Sequence, residues 1–142
     1  MKYLIVFVAT LVVAACSTTP VSISHAQLVP RSQVLAPAFQ TPSSSRTEKV
    51  LLVRDKGFMG SLARTLVAVD GRDIVILKPS QQFVFFLSPG HHMFTVRHAK
   101  HSMGEPPAES DIEIRPGDNN SFRLRLVSGD GPRIERSAQI LD

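Results

Sequence analysis

From Glu48 onward the chain consists of short apolar runs, each closed off by turn-forming residues, and this punctuation restricts the fold more than any other feature. Lys49 to Arg54 (KVLLVR), Thr65 to Asp70 (TLVAVD), Ile74 to Lys78 (IVILK), Gln82 to Ser88 (QFVFFLS), His92 to His98 (HMFTVRH), Ser110 to Arg115 (SDIEIR) and Ser121 to Val127 (SFRLRLV) are rich in Val, Ile, Leu and Phe, and Arg133 to Ile140 is a further candidate. Runs of this length and composition read as strands. Asp70-Gly71 suits a two-residue hairpin loop with positive φ, while Lys78-Pro79-Ser80-Gln81, Ser88-Pro89-Gly90 and Pro116-Gly117-Asp118-Asn119 are proline-containing turns. The spacing predicts an all-β domain, a seven- to eight-stranded antiparallel sandwich.

The alternation within the runs shows which faces are buried. Ile112 and Ile114 alternate with Asp111, Glu113 and Arg115, and Phe122, Leu124 and Leu126 alternate with Arg123 and Arg125, so each of these strands has one wet face. Val50 to Val53, Ile74 to Leu77 and Phe83 to Leu87 are apolar without interruption, as strands covered on both sides would be. Candidate covers are the segment ahead of Glu48, a loop, or a partner protein.

The N-terminus is of a different kind. Met1-Lys2 is a minimal positive region, Tyr3 to Val13 is apolar, and the small residues Ala14-Ala15 stand directly before Cys16, the one cysteine of the chain. The apolar run is too short for a bilayer core, which needs about 20 residues. It predicts an export signal over residues 1–15. Val13-Ala14-Ala15-Cys16 resembles the lipobox of bacterial lipoproteins, with Val13 where that family most often has leucine. The resemblance implies that Cys16 becomes the acylated N-terminus and that Ser17, in place of Asp, sorts the protein to the outer membrane. The competing reading is a chance cysteine at the end of an ordinary secretory signal or of a poor membrane helix. Two or more acyl chains hold a protein on a membrane, where one anchors only marginally.

Residues 16–47 then read as a lipid-anchored tether. Pro20, Pro30, Pro37 and Pro42 interrupt the segment, it ends in Thr41-Pro42-Ser43-Ser44-Ser45, and no period is sustained. A flexible chain of this length reaches about 30 Å. Val34, Leu35 and Phe39 are apolar enough for part of it to pack on the domain, which is assigned to residues 48–142.

The run Arg54-Asp55-Lys56-Gly57-Phe58-Met59-Gly60-Ser61, then Val69-Asp70-Gly71, Phe83, and Ser88-Pro89-Gly90-His91 with Phe94 and Val96 beyond resembles a widespread family of bacterial lipoproteins and periplasmic proteins defined only as a domain of unknown function. Its marks are an arginine strand, a Gly-aromatic-x-Gly-Ser loop, a V-D-G hairpin and a P-G-x-H turn, and the resemblance covers about residues 49–127. It implies a small prealbumin-like or immunoglobulin-like sandwich and carries over no catalytic residue.

Signals for chemistry are sparse. His92 and His98 share a strand face but lie about 20 Å apart at 3.3 Å per residue, too far to share a zinc ion, which leaves only His98 with His101 within easy reach of each other. No Gly-x-Ser-x-Gly, glycine-rich phosphate loop or His-Glu-x-x-His is present. Asp70 with Asp73 and Asp111 with Glu113 are carboxylate pairs whose positions suit turn and solubility roles. No cofactor and no metal are expected. The net charge of +4 is scattered and lacks the basic block that a nucleic-acid partner requires.

Two features remain as candidate partner contacts. Phe58 and Met59 are large apolar residues in a glycine-framed connection, suited either to plugging the end of the sandwich or to an adaptable contact. Arg123 and Arg125, with Arg133 and Arg136 nearby, form a basic stripe if the last two strands pair. Together these readings predict a non-enzymatic, lipid-anchored cell-envelope protein of the outer membrane facing the periplasm. Its partners are the membrane, through acyl chains on Cys16, and an envelope protein. The alternatives are an accessory outer-membrane subunit of a secretion, pilus or motility machine and a metal-dependent or hydrolytic enzyme.

Overall fold

Each apolar run beyond Glu48 becomes a strand in the computed structural model, which describes residues 18–57, 63–100, 106–127 and 131–138. A two-residue strand β1 (Gln27–Leu28) precedes β2 (Glu48–Arg54), β3 (Thr65–Val69), β4 (Arg72–Leu77), β5 (Gln81–Leu87), β6 (Gly90–His98), β7 (Ala108–Ile114), β8 (Asn120–Val127) and β9 (Gly131–Arg136). All eight long strands start within two residues of the positions expected from the sequence. The described residues contain no α-helix and only short 3-10 turns, among them Arg31–Gln33 and Pro37–Gln40.

The strands form two sheets, β1-β5-β2-β8-β9 and β4-β3-β6-β7. Asp70 and Gly71, at φ 50° and 77°, make the expected two-residue β3–β4 turn. The sheets are not wholly antiparallel, because β2 pairs with β8 in parallel, Val50 opposite Asn120 and Arg54 opposite Leu124. Successive long strands reverse direction, so β2 and β8, an even number of strands apart, run the same way. The whole second sheet serves as the crossover that parallel neighbours require.

Side chains from both sheets meet in one core. Val50, Leu52, Phe83, Phe85, Phe122 and Leu124 face Val67, Val69, Val75, Leu77, Phe94 and Val96. The Phe94 ring of the second sheet lies 6.3 Å from Phe85 and 6.0 Å from Phe122 of the first, both tilted, in the range where aromatic pairs add to burial.

The segment read as a tether lies packed along the domain from Thr18 to Thr47. Thr19 and Lys56 exchange backbone hydrogen bonds, Thr19 N to Lys56 O at 2.5 Å and Lys56 N to Thr19 O at 3.2 Å. Val21 and Ala26 then bury against Leu51 and Val53 on the outer face of the first sheet. That contact accounts for the uninterrupted apolar run of β2, whose second face is covered by this strap. Gln82 secures it by donating from Nε2 to Ala26 O (2.7 Å) and Ile23 O (3.2 Å), and β1 pairs in parallel with β5.

Past β1 the strap crosses to the other sheet. Val34 bridges Val75, and Leu35 N donates to Ile74 O at 2.9 Å, occupying the edge of β4. Gln33 Nε2 donates to Ile76 O (2.6 Å) and Gln81 Oε1 (2.8 Å). Val34 and Phe39 pack on the core as their composition suggested, whereas Leu35 stays 43% exposed.

Candidate functional site

One end of the sandwich is organised by a buried arginine. Arg54, the last residue of β2, points inward like Val50 and Leu52 and is 2% exposed. Its Nη1 donates to Ala63 O and Leu77 O, each at 2.7 Å, and its own carbonyl accepts from Ser80 N at 3.0 Å. A single side chain thus ties the end of β2 to the entry of β3 and the exit of β4. Burial lowers the guanidinium pKa from its ordinary value to about 10, because the charged form is desolvated.

The residues around Arg54 place four cations on the surface of that end. Lys56 follows it by two, Arg64 adjoins Ala63, Lys78 adjoins Leu77, and Lys100 follows Ala99, whose N donates to Arg64 O at 2.8 Å. All four are exposed, and none has a carboxylate partner among the described residues. Asp55, next to Arg54, is fully buried and spoken for, while Glu109 near the start of β7 is exposed. Asp55 Oδ1 and Oδ2 accept from Arg123 Nε (3.2 Å) and Nη2 (2.5 Å). Beside Lys56 the surface is recessed into a groove of about 430 Å³ lined by Pro20, Val21, Ser22, His25 and Lys56. The imidazole of His25 lies 2.8 Å from Ser22 Oγ.

The expected basic stripe is divided by pairing. The β8–β9 ladder forms and sets Arg125 opposite Arg133. Arg123 is held by Asp55, Arg125 Nη2 donates to Glu135 Oε1 at 2.7 Å, and Arg136 lies over the Phe122 ring at 4.8 Å while donating to Glu113 O at 2.6 Å. Of the other expected site residues, Cys16, Ser17, Phe58 and Met59 lie outside the described residues, as does His101.

The histidines and carboxylates hold turns and strands together. His92 reaches Asp70 Oδ2 through Nδ1 (2.6 Å) and the Ser88 carbonyl through Nε2 (2.9 Å), linking the β3–β4 and β5–β6 turns. Asp70 Oδ1 also accepts from Met93 N at 2.9 Å. Asp73 takes both of its hydrogen bonds from Arg97 Nη2, 3.0 and 2.8 Å, across β3 on the outer face of the second sheet. Asp111 faces His91 at 3.1 Å, and Glu113 accepts from Arg115 Nε at 3.0 Å. Among the described residues no group of three or more His, Cys, Asp or Glu is placed to hold a metal ion.

Sequence reasoning missed Arg54, although its parity with Val50 and Leu52 is the signal that it points inward. No family model, curated protein or solved structure matches this chain.

Proposed function

We propose that this chain is a non-enzymatic, lipid-anchored protein of the cell envelope whose sandwich serves as a binding or structural module, held to the outer membrane through acyl chains on Cys16. The observation that carries the reading is the junction at Thr18. The lipobox-like Val13-Ala14-Ala15-Cys16 ends immediately before a segment that is already part of the fold, with Thr19 bonded to Lys56. An anchor at residue 16 would therefore hold the domain itself at the membrane, with no long leash between them. The polar side chains that could do chemistry are engaged in cross-strand and turn contacts, which fits a structural use of them.

The strand order favours the prealbumin-like over the immunoglobulin-like form of the sandwich. Counting long strands only, the sheets run fourth-first-seventh-eighth and third-second-fifth-sixth. The immunoglobulin arrangement instead places its first strand beside its second. The reading is tested by growing cells with labelled palmitate. Wild-type chain takes up label and Cys16→Ala does not, and Ser17→Asp shifts the protein toward the inner-membrane fraction. Equal labelling of wild type and Cys16→Ala refutes the anchor.

A further inference from the structure

The Arg54 end of the sandwich has a direction relative to the anchor, and its charge agrees with that direction. Only two residues separate Cys16 from Thr19, and the three peptide links span at most about 11 Å even when fully extended. Thr19 is hydrogen-bonded to Lys56, and Gly57 lies so close that a Cβ placed on it would stand 3.0 Å from Thr18 Cα. Thr18, two residues after Cys16, thus lies at the same end that presents Lys56, Arg64, Lys78 and Lys100. At the opposite end, where β2 begins, the carboxylates of Glu48, Glu113 and Asp118 accompany the cations Lys49, Arg72 and Arg115. Glu48 Oε2 accepts from Gly117 N at 3.0 Å, and Arg115 pairs with Glu113 at 3.0 Å and Asp118 at 3.8 Å.

We propose that this basic end is a membrane-docking surface, lying against the anionic phospholipid headgroups of the leaflet that holds the anchor. The inference rests on the lipid-anchor reading for its geometry and on the four cations for its chemistry. Lysines close to an anionic surface are each attracted strongly enough to change affinity about fivefold, and the attraction falls off within a Debye length. The short junction keeps this end inside that range. The groove beside Lys56, with an ammonium, an imidazole and a hydroxyl on its wall, suits the phosphate of one headgroup. Docked this way, the sandwich stands on its Arg54 end with the Glu48 end facing away from the bilayer.

The chain contains no tryptophan, so single reporters can be introduced into the full-length protein. Pro20→Trp marks the docking end and Pro89→Trp, in the β5–β6 turn, the opposite one. With acylated protein in phosphatidylethanolamine vesicles carrying phosphatidylglycerol and a dansyl-headgroup lipid, energy transfer is several-fold stronger from position 20. Comparable transfer from both positions, in protein shown by mass to be acylated, overturns the docked orientation. A second arm does not depend on acylation. Full-length Cys16→Ala protein is partitioned onto vesicles with and without phosphatidylglycerol. Lys56→Gln and Lys78→Gln each weaken binding to the anionic vesicles about fivefold, and Arg72→Gln at the far end leaves it unchanged. Equal effects of all three substitutions, or none, overturn the basic surface. If the wild-type chain proves unacylated, lysine-dependent partition retains the surface and refutes the anchor alone, and its absence refutes both.

Discussion

Asp55 and Arg123 form an ion pair whose carboxylate is entirely shielded from water, with the guanidinium side chain 16% exposed. The pair sits where the parallel strands β2 and β8 run out, on the face that the strap covers.

Breaking this pair from one side strands a buried charge, which costs about 3–5 kcal/mol. Arg123→Ala and Asp55→Ala are each expected to lose stability on that scale in urea unfolding. The double change Asp55→Leu with Arg123→Met removes both charges and keeps the volume, so it recovers most of the loss. Additive losses in the double variant would mean that the two side chains act independently.

A strap differs from a tether in how it responds to charge. Val21 is 6% exposed and Leu28 is 71% exposed, though both lie in the same proline-interrupted segment. Val21→Asp places a carboxylate against Leu51 and Val53 and lowers stability by more than about 2 kcal/mol. Leu28→Asp changes it by less than about 0.5 kcal/mol. Equal, negligible effects in thermal melts would return the segment to a free tether.

The β3–β4 turn requires a left-handed residue at Gly71, φ 77°, with open space where a Cβ would go. Gly71→Ala therefore costs about 1–2 kcal/mol through backbone strain alone. Asp70→Ala costs a similar amount for another reason, the loss of the acceptors for Met93 N and the His92 ring. Denaturant midpoints separate the two from a neutral control such as Arg72→Ala.

Arg54 gives the fold a pH signature at the alkaline end. Its folded pKa, about 10, lies below the ordinary value of the unfolded chain, so the folded state sheds this proton first. Between those values the unfolded chain binds more protons, and stability gains from this group as pH rises. Below pH 10 the full cost of burying the charge is carried. Urea titrations on either side of pH 10 check this: wild type gains relative to Arg54→Met on crossing it, and a constant difference would place the lowered pKa elsewhere.

The eight long strands were legible because their signals are local. Val, Ile and Phe runs bounded by Pro79, Gly90 or Gly117 need no knowledge of the partner strand, and Asp70-Gly71 specifies its turn by backbone conformation alone. What escaped is held by long-range backbone contacts. Thr19 with Lys56, Gln27 with Ser80 and Val34 with Val75 pair through main-chain groups, which leave no pattern in the side chains. The uninterrupted run Val50 to Val53 did announce a cover, without saying which segment supplied it. Arg123 was expected on a wet face because arginine is almost never fully buried, and its partner Asp55 comes from a distant part of the chain. The candidate surface became visible only once Arg54 had brought Lys56, Arg64, Lys78 and Lys100 to one end.

The central position of β2 has a consequence for the order of assembly. Its neighbours are β5 and β8, and the second of these is separated from it by the entire opposite sheet. Until residues 120–127 arrive, Val50 to Arg54 present a row of unpaired amides and carbonyls on a strand that is apolar on both faces. Such a row is a template for any extended chain nearby. Pairings of high sequence separation form slowly, since loop closure must come before the contacts that reward it. A chain in which β2 had paired with β5 but not yet with β8 would hold one of its most buried strands as an open, adhesive edge.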